Sequence, residues 1–84
     1  MKNIYKTLAT SKTCGPCHAL KARLEKSEIS VNIKSMNDTE NIPWFREKNI
    51  KSVPVLIIED DRGIELDRVL GSEDIFNYLK NNEA

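Results

Sequence analysis

The residues in this chain with chemistry to offer are concentrated in Cys14-Gly15-Pro16-Cys17-His18, which holds both cysteines and the only histidine. Three kinds of chemistry use this pattern. Two cysteines separated by two residues can exchange electrons as a dithiol–disulfide pair. They can supply part of a zinc or iron–sulfur site, with His18 as a third ligand. A Cys-x-x-Cys-His run is also the attachment sequence for covalent c-type haem, with His18 as axial ligand. The haem reading needs a distal ligand, and only Met1 and Met36 could serve. The metal reading finds Cys14, Cys17 and His18 but no fourth ligand nearby in sequence, so a dimer would have to share the metal or a [2Fe–2S] cluster. The redox reading needs only that the two sulfurs meet and that one ionises readily.

The flanking elements are those a redox pair requires. Ile4 to Ala9, within an element expected over 3–9, reads as a strand of mixed polarity. The run after it, CGPCHALKARLEKS, is rich in helix formers and places Cys17, Leu20 and Leu24 on one face. Pro16 suits a first turn, where its missing N–H costs nothing. Cys14 is therefore expected at a helix N-terminus, where unpaired N–H groups and the positive end of the dipole favour an anion and lower a thiol pKa. Lys12 and Lys21 push the same way. Cys17, three residues on, lies on the same side of the helix within disulfide reach. Gly15 and Pro16 tighten the turn and keep bulk off the outer sulfur. In the mechanism these residues imply, Cys14 thiolate attacks a target disulfide, and Cys17 resolves the mixed disulfide.

The remaining elements alternate. Residues 29–34 place Ile29, Val31 and Ile33 on one side and Ser30, Asn32 and Lys34 on the other, a strand buried on one face and expected at an edge. A helix is expected over 41–49, with Thr39 or Asn41 as N-cap and Pro43 in its first turn. Trp44 and Phe45 read as core packing, or as a surface beside the site. Val53 to Ile58 is nearly all apolar and reads as a central strand. Asp60-Asp61-Arg62-Gly63 is a turn signal, and Ile64 to Val69 its hairpin partner. Ser72 is the expected N-cap of a last helix with Ile75, Phe76 and Leu79 as its apolar stripe. The order β-α-β-α-β-β-α predicts an α/β fold: a four-stranded mixed sheet with helices on both faces, its first β-α-β unit parallel and its last hairpin antiparallel.

Bulk properties narrow the function. Eighty-four residues make one domain, 1–84. Two cysteines cannot form a disulfide scaffold, so the core must carry stability. The start, MKNIYKTLAT, has no apolar h-region, and no apolar run approaches the roughly 20 residues of a membrane helix. The expectation is a cytoplasmic protein with no membrane partner, monomeric by default. The net charge is zero but divided: residues 1–37 carry seven Lys/Arg and two Asp/Glu, and residues 38–84 carry six and eleven. A positive half holding the cysteines is either chance dispersion or a steering field for an acidic partner. No basic cluster interleaved with aromatics is present, which argues against nucleic acid.

The sequence resembles the thioredoxin superfamily. CGPC at 14–17 is the dipeptide pattern of thioredoxins, while the short chain and CGPCHALKARLE are similar to a glutaredoxin or to the glutaredoxin-like hydrogen donor of ribonucleotide reductase. Ser52-Val53-Pro54 matches the family's Thr/Ser-Val-Pro motif, and Leu70-Gly71-Ser72-Glu73-Asp74 resembles its Gly-Gly-x-x-Asp element. The resemblance implies a thioredoxin-like fold and a thiol–disulfide oxidoreductase acting on protein or small-molecule disulfides. It implies a cis Val53–Pro54 bond facing Cys14, with the Val53 backbone free to pair with an extended substrate. It places Lys12, Gly71, Ser72 and Asp74 where a glutathione would be held, and Thr13 where thioredoxins have a tryptophan beside the site. The buried aspartate of thioredoxins has no counterpart, since Leu8 or a neighbour takes its place and no carboxylate precedes Glu25. No tightly bound cofactor is implied. The electron donor would be glutathione or a flavoprotein thioredoxin reductase, and ribonucleotide reductase is the reasonable target.

Overall fold

The computed structural model describes residues 4–82. Its strands are β1 (Ile4–Thr10), β2 (Asn32–Ser35), β3 (Val55–Asp60) and β4 (Glu65–Leu70). Its helices are α1 (Gly15–Lys26), α2 (Ile42–Glu47) and α3 (Ser72–Asn81), with a 3-10 turn over Thr39–Asn41 leading into α2. The expected first residue of β1, Asn3, lies outside the described residues. The sheet order is β2-β1-β3-β4, with β1 parallel to β2 and antiparallel to β3, and β3 antiparallel to β4. The mixed four-stranded sheet with three helices on its two faces is the architecture the element order predicts.

β3 holds the two layers together because its side chains alternate between two apolar clusters. Leu56 and Ile58 join Leu8, Leu20, Leu24 and Ile75 on the face covered by α1 and α3. Val55 and Ile57 join Ala9 and Phe45 on the face covered by α2, with Trp44 packed against them. α1 buries Cys17, Leu20 and Leu24, and α3 buries Ile75, Phe76 and Leu79, the stripes expected from spacing. Full burial of each such leucine or isoleucine is worth roughly 1.5–3 kcal/mol. The two helices are also tied by Arg23, whose guanidinium lies 4.0 Å from the Phe76 ring centroid and 2.9 Å from a Glu73 carboxylate oxygen.

Several local expectations are corrected. β2 begins at Asn32, not 29. The chain leaves α1 through Glu28 in the left-handed region (φ 58°), and it reaches β1 only where Asn32 pairs with Thr7. β2 is an edge strand, but Ile33 is half-exposed: it lines an open groove with Lys21, Leu24 and Glu25 of α1, while Ile29 and Val31 pack against the core. α2 is six residues long rather than nine, and Asn41 at its N-cap turns its Nδ2 to the Ser35 carbonyl (3.0 Å) instead of capping. Ser72 is not the cap of α3: Gly71 occupies that place at φ 89°, a conformation a glycine adopts without strain, and Ser72 opens the helix. β4 is displaced by one residue from the expected 64–69 to Glu65–Leu70.

Candidate active site

The first strand and first helix meet at the Cys14–Cys17 pair. Cys14 is the N-cap of α1, with extended backbone (φ −92°, ψ 105°), and the Cys17 N–H donates to its sulfur at 3.1 Å. A sulfur in the N-cap position thus takes up a helix donor that a Ser or Asp oxygen ordinarily would. The two cysteines are joined as a disulfide, with Cα atoms 5.2 Å apart. Their exposures differ: Cys14 is half-buried and reachable, while Cys17 is fully buried beneath it. Gly15 and Pro16 are exposed in the first turn, which contains no acidic residue.

The start of β3 closes the other side. Val53–Pro54 is a cis peptide bond, with Pro54 buried and Val53 half-buried. The Val53 carbonyl oxygen lies 3.8 Å from Cys14 Sγ. Ladder pairing of β3 begins only at Val55, so Val53 stands outside the ladder beside the half-buried Cys14 sulfur. Leu70 pairs with Val55, which brings Gly71 to the same end of the sheet as Pro54. Leu70 itself is 58% exposed there, a large apolar side chain next to the cysteine end that the sequence reading passed over. Ser72 and Asp74 follow in the first turn of α3. Among the described residues, no hydrogen bond joins Gly71, Ser72 or Asp74 to the cysteines, and Asp74 is solvent-exposed.

Lys12 and Thr13 precede Cys14 and are both exposed. The Lys12 N–H donates to Asn37 Oδ1 (2.8 Å), and the Thr13 N–H and hydroxyl meet Ser11 Oγ (3.3 and 3.1 Å). His18 is exposed on α1, and its Nε2 is 2.8 Å from the Lys12 carbonyl oxygen. Because that oxygen can only accept, Nε2 carries the proton. Ser11, Asn37 and this histidine contact are the part of the site that sequence reasoning missed. No spacing rule flags a side chain that meets a backbone group on another element. Among the described residues no three His, Cys, Asp or Glu side chains cluster as a metal site, and no carboxylate is hydrogen-bonded to either cysteine. Leu8 is fully buried in the apolar cluster of α1 and α3. No helix among the described residues is long and apolar enough to cross a membrane.

Chemically, the arrangement presents one accessible sulfur at a helix N-terminus, a second sulfur already within bonding distance below it, and a free backbone carbonyl alongside. No protein-family model and no curated protein matches the sequence. Solved structures do match. Chlamydomonas reinhardtii thioredoxin f2 aligns with 99% of this chain and 82% of its own, with TM-score 0.72 and 15% identity. The short form of spinach chloroplast thioredoxin f aligns over 95% and 76%, with TM-score 0.71 and 19% identity. A structure of ferredoxin:thioredoxin reductase in complex with thioredoxin f2 aligns over 98% and 79%, with TM-score 0.66 and 24% identity. At such identities the likeness is one of backbone architecture, and on that ground the chain has the thioredoxin fold, with a close cysteine pair at the start of its first helix.

Proposed function

We propose that the protein is a dithiol–disulfide oxidoreductase that reduces disulfides in proteins or small molecules. The observation that carries this reading is the asymmetric pair: Cys14 accessible and receiving the Cys17 N–H, Cys17 buried within bonding reach. In the reduced protein, the helix N-terminus stabilises Cys14 as a thiolate. The thiolate attacks one sulfur of a target disulfide. The target's S–S bond breaks, one target thiolate leaves, and a mixed disulfide forms. Cys17 then loses its proton and attacks Cys14 Sγ. The Cys14–Cys17 bond closes and the second target thiolate departs, so two electrons have moved from the dithiol to the target. An extended target segment would pair with the Val53 backbone, small-scale β-augmentation beside the sulfur. Gly15 and Pro16 would leave the approach open, with Thr13 flanking it.

The oxidised pair must then be reduced again. A flavoprotein thioredoxin reductase or glutathione would supply the electrons, Lys12, Gly71, Ser72 and Asp74 receiving the glutathione in the second case. The likeness to a thioredoxin f2 solved with ferredoxin:thioredoxin reductase adds a ferredoxin-linked enzyme to the candidates. Ribonucleotide reductase is the target suggested by the glutaredoxin-like run at 14–25.

Insulin reduction tests the reading. The wild type should turn over insulin disulfides with dithiothreitol as the final donor, and Cys14→Ser should lose all activity above background. Cys17→Ser should accumulate a mixed disulfide at Cys14, visible by intact-mass measurement. A Cys17→Ser protein that turns over at the wild-type rate would eliminate the two-step scheme. The same assay with NADPH and either thioredoxin reductase or glutathione with its reductase, or with reduced ferredoxin and its reductase, assigns the donor.

A further inference from the structure

Lys12 lies midway along the segment Ser11–Thr13, which links β1 to Cys14 and belongs to neither β1 nor α1. Both of its peptide groups are held by side chains from other parts of the chain. The Lys12 N–H donates to Asn37 Oδ1 at 2.8 Å, and the Lys12 carbonyl accepts from His18 Nε2 at 2.8 Å. Asn37 is itself anchored. Its N–H donates to Ser35 Oγ (3.2 Å), and it follows Met36, whose N–H extends the β1–β2 pairing by a bond to the Thr10 carbonyl (2.9 Å). Its Oδ1 also accepts from Ser11 Oγ at 3.3 Å, and Ser11 is nearly fully buried. The far end of the segment is closed by the Cys14 N–H, which donates to the Ser11 carbonyl at 3.2 Å.

We infer that Asn37 and His18 are positioning residues for disulfide exchange: they clamp the Lys12 peptide groups from opposite ends and so fix where Cys14 Sγ meets the incoming disulfide. In-line thiolate attack is sensitive to placement, because an ångström of drift in a reacting atom costs far more rate than it costs folding stability. A segment of three residues without such contacts would sample many backbone states. The clamp removes that freedom without touching the sulfur. It rests on the proposed exchange chemistry for its consequence, but not for its existence.

The test uses the reduced full-length chain and two readouts. The first is amide hydrogen exchange at Lys12, which reports the clamp whether or not the protein exchanges disulfides. Asn37→Ala should accelerate it by about tenfold, and Asn37→Asp, which keeps the acceptor oxygen, should leave it protected. The second is the single-turnover rate of Cys14 with oxidised glutathione. Asn37→Ala and His18→Ala should each slow this roughly three- to tenfold, with thermal midpoints little changed. His18→Gln, whose amide can still donate to the Lys12 carbonyl, should recover most of the rate, and the Asn37/His18 double alanine variant should lose less than the product of the single losses. The inference is overturned if Lys12 exchange is unaffected by Asn37→Ala. It is equally overturned if His18→Gln is as slow as His18→Ala, which would make ring charge the cause, or if the two losses simply multiply. A wild type that reacts no faster than free cysteine while Lys12 stays protected would instead sink the proposed function and leave the clamp standing.

Discussion

Single residues differ in how visible they are from sequence, and the reason is chemical. Cysteine and proline announce themselves, because few positions tolerate their reactivity or their missing N–H. The pair at 14 and 17 and the cis Val53–Pro54 bond were therefore in view from motifs, whereas Asn37 and His18 reach backbone atoms that every residue possesses. Asp60 belongs between these extremes. The turn it opens was legible, but the reason for the aspartate was not. Its Oδ1 accepts the N–H groups of Ile64 (3.0 Å) and Arg62 (2.8 Å), and its Oδ2 pairs with the Arg62 guanidinium (3.0 Å). The Ile64 N–H above all, and then the Arg62 contacts, hold its carboxyl below the ordinary 3.8. A carboxyl depressed by folding contributes stability above its unfolded pKa and loses it as pH falls through the folded one. Asp60→Ala should therefore lower the thermal midpoint at pH 7. The gap from wild type should narrow as the pH is taken below about 3.8, where protonation removes what the substitution removed. A gap that stays constant from pH 7 to pH 2 would show that the carboxylate's charge has no part in holding the hairpin turn.

At the scale of elements, periodicity, apolar runs and turn signals located every β-strand and α-helix, but they missed the 3-10 helix and failed at the ends. Element ends depend on single backbone conformations such as Glu28 at φ 58° and Gly71 at φ 89°, which leave no periodic trace. The junction of α2 with the β3–β4 turn was wholly hidden. Lys48 follows α2 directly, and its side chain is 7% exposed. Its ammonium meets Glu59 at 3.1 Å and donates to the Gly63 carbonyl at 2.8 Å, while the Lys48 carbonyl accepts from Arg68 at 2.7 Å. Nothing in the pattern of residues 48, 59 and 63 brings them together; the antiparallel return of β3 into β4 does. Removing one member strands a buried charge, which costs about 3–5 kcal/mol. Lys48→Ala should thus lower the unfolding free energy by about 3 kcal/mol or more in urea titration, and Glu59→Gln should be comparably harmful. Replacing both, Lys48→Met with Glu59→Leu, leaves no orphaned charge and should recover most of the loss. If the double variant is as unstable as the sum of the singles, the pair acts through its hydrogen bonds to the turn and not through charge.

Over the whole molecule, the chain order and the sheet order carry a sequence asymmetry into the order of the strands. Residues 4–37, with six basic and two acidic side chains, build β1, α1 and β2, while residues 38–82, with six and ten, build α2, β3, β4 and α3. Since the strands lie in the order β2-β1-β3-β4, the two strands of the basic half are neighbours on one side of the sheet and the two of the acidic half on the other, while α2 reaches back to β2 through Asn41 and Trp44. Cys14 belongs to the basic half, at the seam where β1 meets β3. The strand order divides the strands by charge, and the rate of disulfide reduction tests whether that division steers a partner. Charge of one sign around Cys14 would raise the encounter rate with partners of opposite sign, and salt abolishes such an effect once the Debye length falls to about 3 Å at 1 M. Two peptide disulfides of equal length, one flanked by aspartates and one by lysines, should therefore be reduced at different rates at low ionic strength, the acidic one faster. Their rates should converge by 1 M salt. The reverse preference, or a difference that survives high salt, would mean that the local acids Asp38 and Glu40, which follow Asn37 beside the cysteine segment, outweigh the basic half and that short-range contacts select the substrate.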